Sequence, residues 1–175
     1  MLLRKINAVI SLLCTILLMD HAIFHAAWML SKGSIPKTAG ASWAMVWLMS
    51  AHAIISIILA IRGHKGAEKC KCKEYPQMNI PTYIQRISGV ALILFTSLHI
   101  LGTVGILQPP KIVHAILPIL FFALCLAHVA VSSYKAFITL GIGNAKFVKI
   151  LNILVKVLCI VTWLADVIGF YLYLV

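Results

Sequence analysis

The sequence predicts an all-α integral membrane protein, a bundle of five transmembrane helices. Three observations predict it. Of the 175 residues 62% are hydrophobic and only 11% charged, whereas a soluble domain of this size holds about 25% charged residues. No soluble core of that size could hide so much apolar surface, so the surrounding medium must be lipid. Five stretches each reach the length of about 20 mostly apolar residues that a membrane crossing needs. The net charge of +11 does not point to nucleic acid, because the basic residues lie between apolar spans and not along one continuous face.

The first span, Ile6 to Leu30, follows Arg4 and Lys5. It is longer than the apolar region of a signal peptide, and Asp20, His21 and His25 interrupt its far half, so it is expected to stay in the mature chain. Gly33, Pro36 and Gly40 mark the loop to the second span, Ala41 to Ile61, which Gly63 and Gly66 are expected to end. Pro76 and Pro81 lead into the third, Ile84 to Leu107. Pro109-Pro110 separates it from the fourth, Ile112 to Leu140, where Pro118 falls early enough to bend the helix mildly. Gly141 and Gly143 close the fourth span, and the fifth is Phe147 to Val175. With short linkers, no repeat and no low-complexity segment, residues 1–175 read as one domain.

Orientation follows from the basic flanks. One side holds Arg4, Lys5, Arg62, the cluster from Lys65 to Lys73, Arg86, Lys135, Lys146 and Lys149, and the other holds Lys32, Lys37 and Lys111. The richer side is expected to be cytoplasmic, which puts the N-terminus inside. Trp28, Trp43, Tyr171 and Tyr173 then fall near the outer boundary, and Tyr75, Tyr83 and Tyr134 near the inner one, as interfacial aromatic belts do. Cys14, Cys125 and Cys159 lie within spans as packing residues. Cys70 and Cys72 form a C-x-C in the cytoplasmic loop, read as reduced thiols because a metal site would need two further ligands.

The third span carries a stripe of Gln85, Gly89, Leu92, Thr96, His99 and Thr103 at alternating steps of four and three. It is smaller and more polar than its surroundings, so it is expected to face the bundle interior. Histidines are the more telling residues, since ionisable groups inside a membrane are expensive. His21, His25, His52, His99 and His128 all fall within spans, on four of the five helices. At about 1.5 Å per residue, His21 lies about 25 Å beyond Arg4 and His99 about 20 Å beyond Arg86. His52 lies about 15 Å from Arg62 and His128 about 10 Å from Lys135. That ranking gives two levels, an outer one on helices one and three and an inner one on helices two and four. Two histidines at one level suit bis-histidine ligation of a haem iron, and two such pairs suit two b-type haems. Zinc would want three or four ligands at one depth. Gly89 would give the inner haem edge room or simply pack helices, and Arg62 and Lys135 would meet its propionates or snorkel to the interface.

With these residues in hand, the chain resembles the dihaem cytochrome b anchor of succinate dehydrogenases and fumarate reductases, in its five-helix single-polypeptide form. The resemblance covers nearly the whole chain. Its most specific segment is QRISGVALILFTSLH, Gln85 to His99; LLMDH around His21, HAIISIILAI from His52, and His128 followed by Gly141-Ile142 also match. It implies that His52 pairs with His128 on the inner side and His21 with His99 on the outer side. It implies quinone, commonly menaquinone, as redox substrate, and a flavin (FAD) subunit and an iron–sulfur subunit as partners. The basic stretch Arg62 to Lys73 would dock those subunits or attract anionic lipid. A bacterial cytoplasmic membrane is the implied location. Some fumarate-reducing members carry a glutamate near the fourth ligand, whereas Leu126, Ala127 and Val129 surround His128 here.

His21 rather than His25 is expected to ligate, leaving His25 to donate to a propionate or to quinone. Quinone chemistry moves protons and so needs a titratable group near the ring. Of the four acids, Glu68 and Glu74 lie in the cytoplasmic loop, while Asp20 and Asp166 lie toward the outer end of their spans. The outer half is therefore the first expectation for the quinone site. An inner location at Arg86 and Ser88 competes, because R-x-S-G is also seen near quinone in related anchors. Two other readings stay open: a dihaem cytochrome b of a different quinone-linked dehydrogenase, and a small transporter using the histidines for protons or metal ions.

Overall fold

Five helices, and no strand, make up the described part of the chain, which in the computed structural model is residues 2–31, 34, 40–70, 80–107 and 111–174. They are α1 (Leu2–Leu30), α2 (Gly40–Cys70), α3 (Ile80–Thr103), α4 (Lys111–Leu140) and α5 (Ala145–Leu174). Each contains a stretch long and apolar enough to cross a membrane, so the chain is a multi-pass membrane protein. Expectations that fall on 32–33, 35–39, 71–79 and 108–110, among them Cys72, Glu74, Tyr75 and Pro109-Pro110, lie outside the described residues. So do the side chains of residues 64–70 and of Tyr173.

Two boundaries are corrected. Gly63 and Gly66 do not end the second helix, and α2 runs through both to Cys70. A glycine within a helix costs about 1 kcal/mol but removes no hydrogen bond, and no proline intervenes. Pro81 stands in the first turn of α3, where its missing N–H is not needed. Pro118 sits inside α4, which continues past it. The third helix stops at Thr103, short of Leu107, through a left-handed Gly105 (φ 79°). There the Ile106 N–H donates to the Leu101 carbonyl at 3.0 Å and the Gly105 N–H to the Gly102 carbonyl at 3.3 Å. The same pair of hydrogen bonds closes α4 at Gly141 (φ 71°), with the Ile142 N–H donating to the Phe137 carbonyl and the Gly141 N–H to the Ile138 carbonyl, both at 3.1 Å. Asn144 then caps α5, its Oδ1 accepting from the Phe147 N–H at 2.9 Å.

α1 packs against α2, α4 and α5, and α4 packs against α3, α5 and α1. These two helices therefore form the middle of the bundle, with α5 laid against both. The core between them is Leu18, Met19 and Ala22 of α1, Met45 of α2, Phe122, Cys125 and Val129 of α4, and Cys159 of α5. Buried Ala8, Ala22 and Ala26 let neighbours approach α1 closely. Outward, the surface is apolar, as lipid contact demands: Trp47, Ile54, Val90, Leu94, Leu154 and Val161 are all exposed.

Polar side chains clasp the seams. Asn7 Nδ2 donates to Ser56 Oγ at 3.2 Å between α1 and α2. Ser133 Oγ donates to Asn152 Oδ1 at 2.7 Å between α4 and α5. Lys135 Nζ on α4 reaches Thr82 Oγ1 at 2.9 Å and Gln85 Oε1 at 2.8 Å on α3. Without water, a polar side chain in a bundle takes its partner from a neighbouring helix, and each such bond is worth about 0.6–2 kcal/mol.

Candidate functional site

The four ligand candidates meet in pairs. His21 of α1 and His99 of α3 have ring centroids 6.5 Å apart with an 84° angle between planes. His52 of α2 and His128 of α4 are also 6.5 Å apart, at 77°. Two imidazoles sharing one iron, at a metal–nitrogen distance of about 2.0 Å and with each ring centre about 1.2 Å behind its nitrogen, stand about 6.4 Å apart. Direct edge-to-face ring contacts span the same range, so the spacing fits ligation without requiring it. Among the described residues no group of three or more His, Cys, Asp or Glu side chains is arranged to hold one metal ion, as a zinc-type site would need.

The far side of each ring adds to the picture. A ligating histidine uses one nitrogen for metal and directs the other to a second partner. His128 Nδ1 lies 3.0 Å from Ser88 Oγ. His21 Nδ1 lies 3.1 Å from Ser42 Oγ. Both contacts leave Nε2 for another role. His99 stacks on Phe121 with centroids 5.5 Å apart. His52 Nδ1 is buried without a hydrogen-bond partner, and so are Thr96 Oγ1 and Trp163 Nε1. Buried polar atoms left without a partner are few in folded proteins, and each calls for an explanation such as an absent ligand.

Of the expected stripe on α3, Thr96 and His99 do turn inward, but Thr103 is exposed and bonds the Ile100 carbonyl of its own helix. Among the residues assigned to propionates, Arg62 is exposed. Lys135 uses two of its three ammonium protons on Thr82 and Gln85, leaving one for an anion. Gly89 faces the His128 ring, for a Cβ built there would stand 3.3 Å from Cε1.

Near the His21–His99 pair, two residues assigned separately from the sequence form one unit. His25 Nδ1 is 2.6 Å from Asp166 Oδ1, joining α1 to α5. Asp166 is buried, and the His25 ring stacks on Trp28 at 6.3 Å. This dyad shares a cavity of about 40 Å³ with His21 and His99, lined also by Leu18, Ala22, Phe121 and Phe122. A macrocycle is larger than that space and would enter by displacing these apolar side chains. Asp20 is half-buried on α1, and the Arg86 side chain is exposed. A larger hollow of about 210 Å³, between Tyr134, Ile138, Gly141 and Val148, lies at the α4–α5 turn and includes none of the histidines.

Ser42 is a site residue that the sequence reading missed, because only the approach of α2 to α1 reveals it. Lys156 was left out of the two basic flanks and belongs to none of these sites. It is exposed on α5 about 15 Å along the helix from Lys146, and its long side chain can carry the ammonium toward the interface. No protein family, curated protein or solved structure matches the chain.

Proposed function

We propose that the chain is the dihaem cytochrome b anchor of a succinate:quinone oxidoreductase or fumarate reductase. The observation that carries this reading is the pairing of four intramembrane histidines, two by two, at 6.5 Å. A haem iron with both axial positions filled by imidazole supplies one-electron transfer. His52 and His128 would hold the inner haem, and His21 and His99 the outer one. Lys135 and Arg62 would offer positive charge to carboxylates at the inner end.

On this reading the N-terminus is cytoplasmic, the membrane is a bacterial cytoplasmic membrane, and electrons pass between quinone and iron–sulfur and flavin subunits. The basic inner face beginning at Arg62 would dock those subunits. Menaquinone is the quinone that the resemblance implies. Its site belongs in the outer half, where Asp166 and His25 form a unit able to exchange a proton. Ser88, the inner competitor, has its hydroxyl buried and occupied by His128 and the Ile84 carbonyl, which supports ranking the outer site first.

The His25–Asp166 pair, with its carboxylate buried, also favours the second reading, a small proton- or metal-coupled transporter, because intramembrane ion pairs mark such paths. A reduced-minus-oxidised visible spectrum of the purified chain separates the two. Two haems b per chain, with a dicarboxylate-oxidising flavoprotein co-purifying, is the expected result. Absence of a haem α-band overturns the proposal in favour of transport, and a different co-purifying dehydrogenase reassigns the complex.

A further inference from the structure

Ser88 differs from the other serines of its helix type. Ser97, on the same helix, donates to the carbonyl four residues back, Ile93, at 2.9 Å and is exposed. Ser50 does the same toward Val46 at 2.8 Å and is exposed too. Ser88 donates to Ile84 at 2.6 Å, yet it is only 3% exposed and its oxygen also meets His128 Nδ1 at 3.0 Å.

A hydroxyl has one proton and two lone pairs. The Ile84 carbonyl can only accept, and two oxygens 2.6 Å apart need a proton between them. The Ser88 proton is therefore spent on Ile84. The contact with His128 can then be a hydrogen bond only if Nδ1 carries the proton and Ser88 accepts it. That choice fixes the tautomer: Nδ1–H toward α3, and a lone pair on Nε2.

The next residue completes the arrangement. Gly89 has no Cβ, and one placed there would stand 3.3 Å from His128 Cε1 and 3.7 Å from Nδ1. The same ring edge that Ser88 holds thus lies against bare backbone. Any side chain at position 89 would press on it.

We propose that Ser88 and Gly89 together form a seat for the His128 imidazole, in which the Ser88 hydroxyl accepts the Nδ1 proton and holds Nε2 ready as an iron ligand. Ser88 is a positioning residue on this view and not a quinone contact. The inference rests on the dihaem reading given above. A hydrogen bond accepted from Nδ1–H raises the basicity of the coordinating nitrogen and favours the oxidised iron. Losing it raises the midpoint potential of the inner haem and weakens haem retention there, by roughly 10-fold on the scale of such partners.

The test is a redox titration with low-temperature electron paramagnetic resonance on the full chain and four variants. The inner haem is identified as the one missing from His128→Ala. Ser88→Ala is expected to raise the inner potential and shift its ferric signal, with the outer haem unmoved. Ser97→Ala removes an ordinary helix back-bond and is expected to change neither. Ser88→Thr keeps a hydroxyl and is expected to restore the inner signal. If Ser88→Ala loses the inner haem outright, Ser88→Thr decides: recovery supports the seat and failure to recover overturns it. A wild-type chain without haem refutes the dihaem reading itself. Two haems in the wild type with an unmoved inner potential in Ser88→Ala refutes the seat alone.

Discussion

At the His52–His128 pair, which the proposed reading places on the inner side, the visible partner of the ring is a neutral hydroxyl, Ser88, wedged beside a glycine. At the outer pair, His21 also meets a serine, but one helical turn further on stands a second histidine bonded to a buried carboxylate. The ring spacing is 6.5 Å at both levels. Equal spacing with unequal surroundings teaches that the two levels suit different tasks. The inner one steadies an imidazole without offering a proton. The outer one places a group that can gain or release a proton within the same small cavity as its ring pair. On the proposed reading, electrons alone pass at the inner level and electrons with protons at the outer.

The comparison breaks most visibly at the ligands. His52→Ala and His128→Ala are each expected to remove the inner haem, and His21→Ala and His99→Ala the outer one, taking two haems per chain to one by pyridine haemochrome assay. A variant that keeps two haems shows that its residue is not a ligand. His25→Ala is expected to keep both.

Next comes the proton. In a variant that retains both haems, Asp166→Asn is expected to lower quinol-linked turnover by about 10²-fold, the usual scale for a lost proton-transfer group. Asp20→Asn is expected to have the lesser effect, because Asp20 is half-buried and Asp166 is the acid bonded to His25. Normal turnover in Asp166→Asn together with a loss in Arg86→Gln would move the quinone to the inner level and undo the contrast.

Stability gives a smaller signal. His25→Ala strips Asp166 of its partner, and a hydrogen bond to a charged group is worth about 2 kcal/mol. A lowered Tm in detergent is expected, with a lesser drop in Asp166→Asn because a buried amide is less costly than a buried unpaired carboxylate. The smallest effect is at the α3–α4 seam. Lys135→Met gives up two bonds at the edge of the bundle, and a loss of about 1 kcal/mol is expected in the same thermal measurement.

The five helices were legible because lipid forces long apolar runs, and composition alone registers those. Their ends were less so. Gly63 and Gly66 look like stop signals, yet glycine ends a helix only when the chain adopts a left-handed turn there, as at Gly105 and Gly141. The distance to the nearest basic residue ranks the histidines in two pairs, and the structure brings together the same partners. What sequence spacing does not carry is contact between helices. The bond between His25 and Asp166 joins residues 141 positions apart. Ser42 sits 21 positions from His21, and nothing in the local pattern of the second span marks it as a partner. Ser88 was singled out for quinone and not for His128, because the segment around it says nothing about where the ring of His128 will lie.

The serine–histidine bonds and the histidine–histidine pairs run in different directions through the bundle. Ser42 to His21 lies inside the hairpin of α1 and α2, and Ser88 to His128 inside the hairpin of α3 and α4. Both ring pairs cross from one hairpin to the other. During synthesis each hairpin can therefore set its own imidazole before the two halves meet. α5, made after both hairpins, packs on α1 and on α4 and brings Asp166 to a histidine made 141 residues earlier. α5 thus lays a further clasp across halves that α1 and α4 already join, and a translation product that stops before α5 has both ring pairs but leaves His25 without its carboxylate.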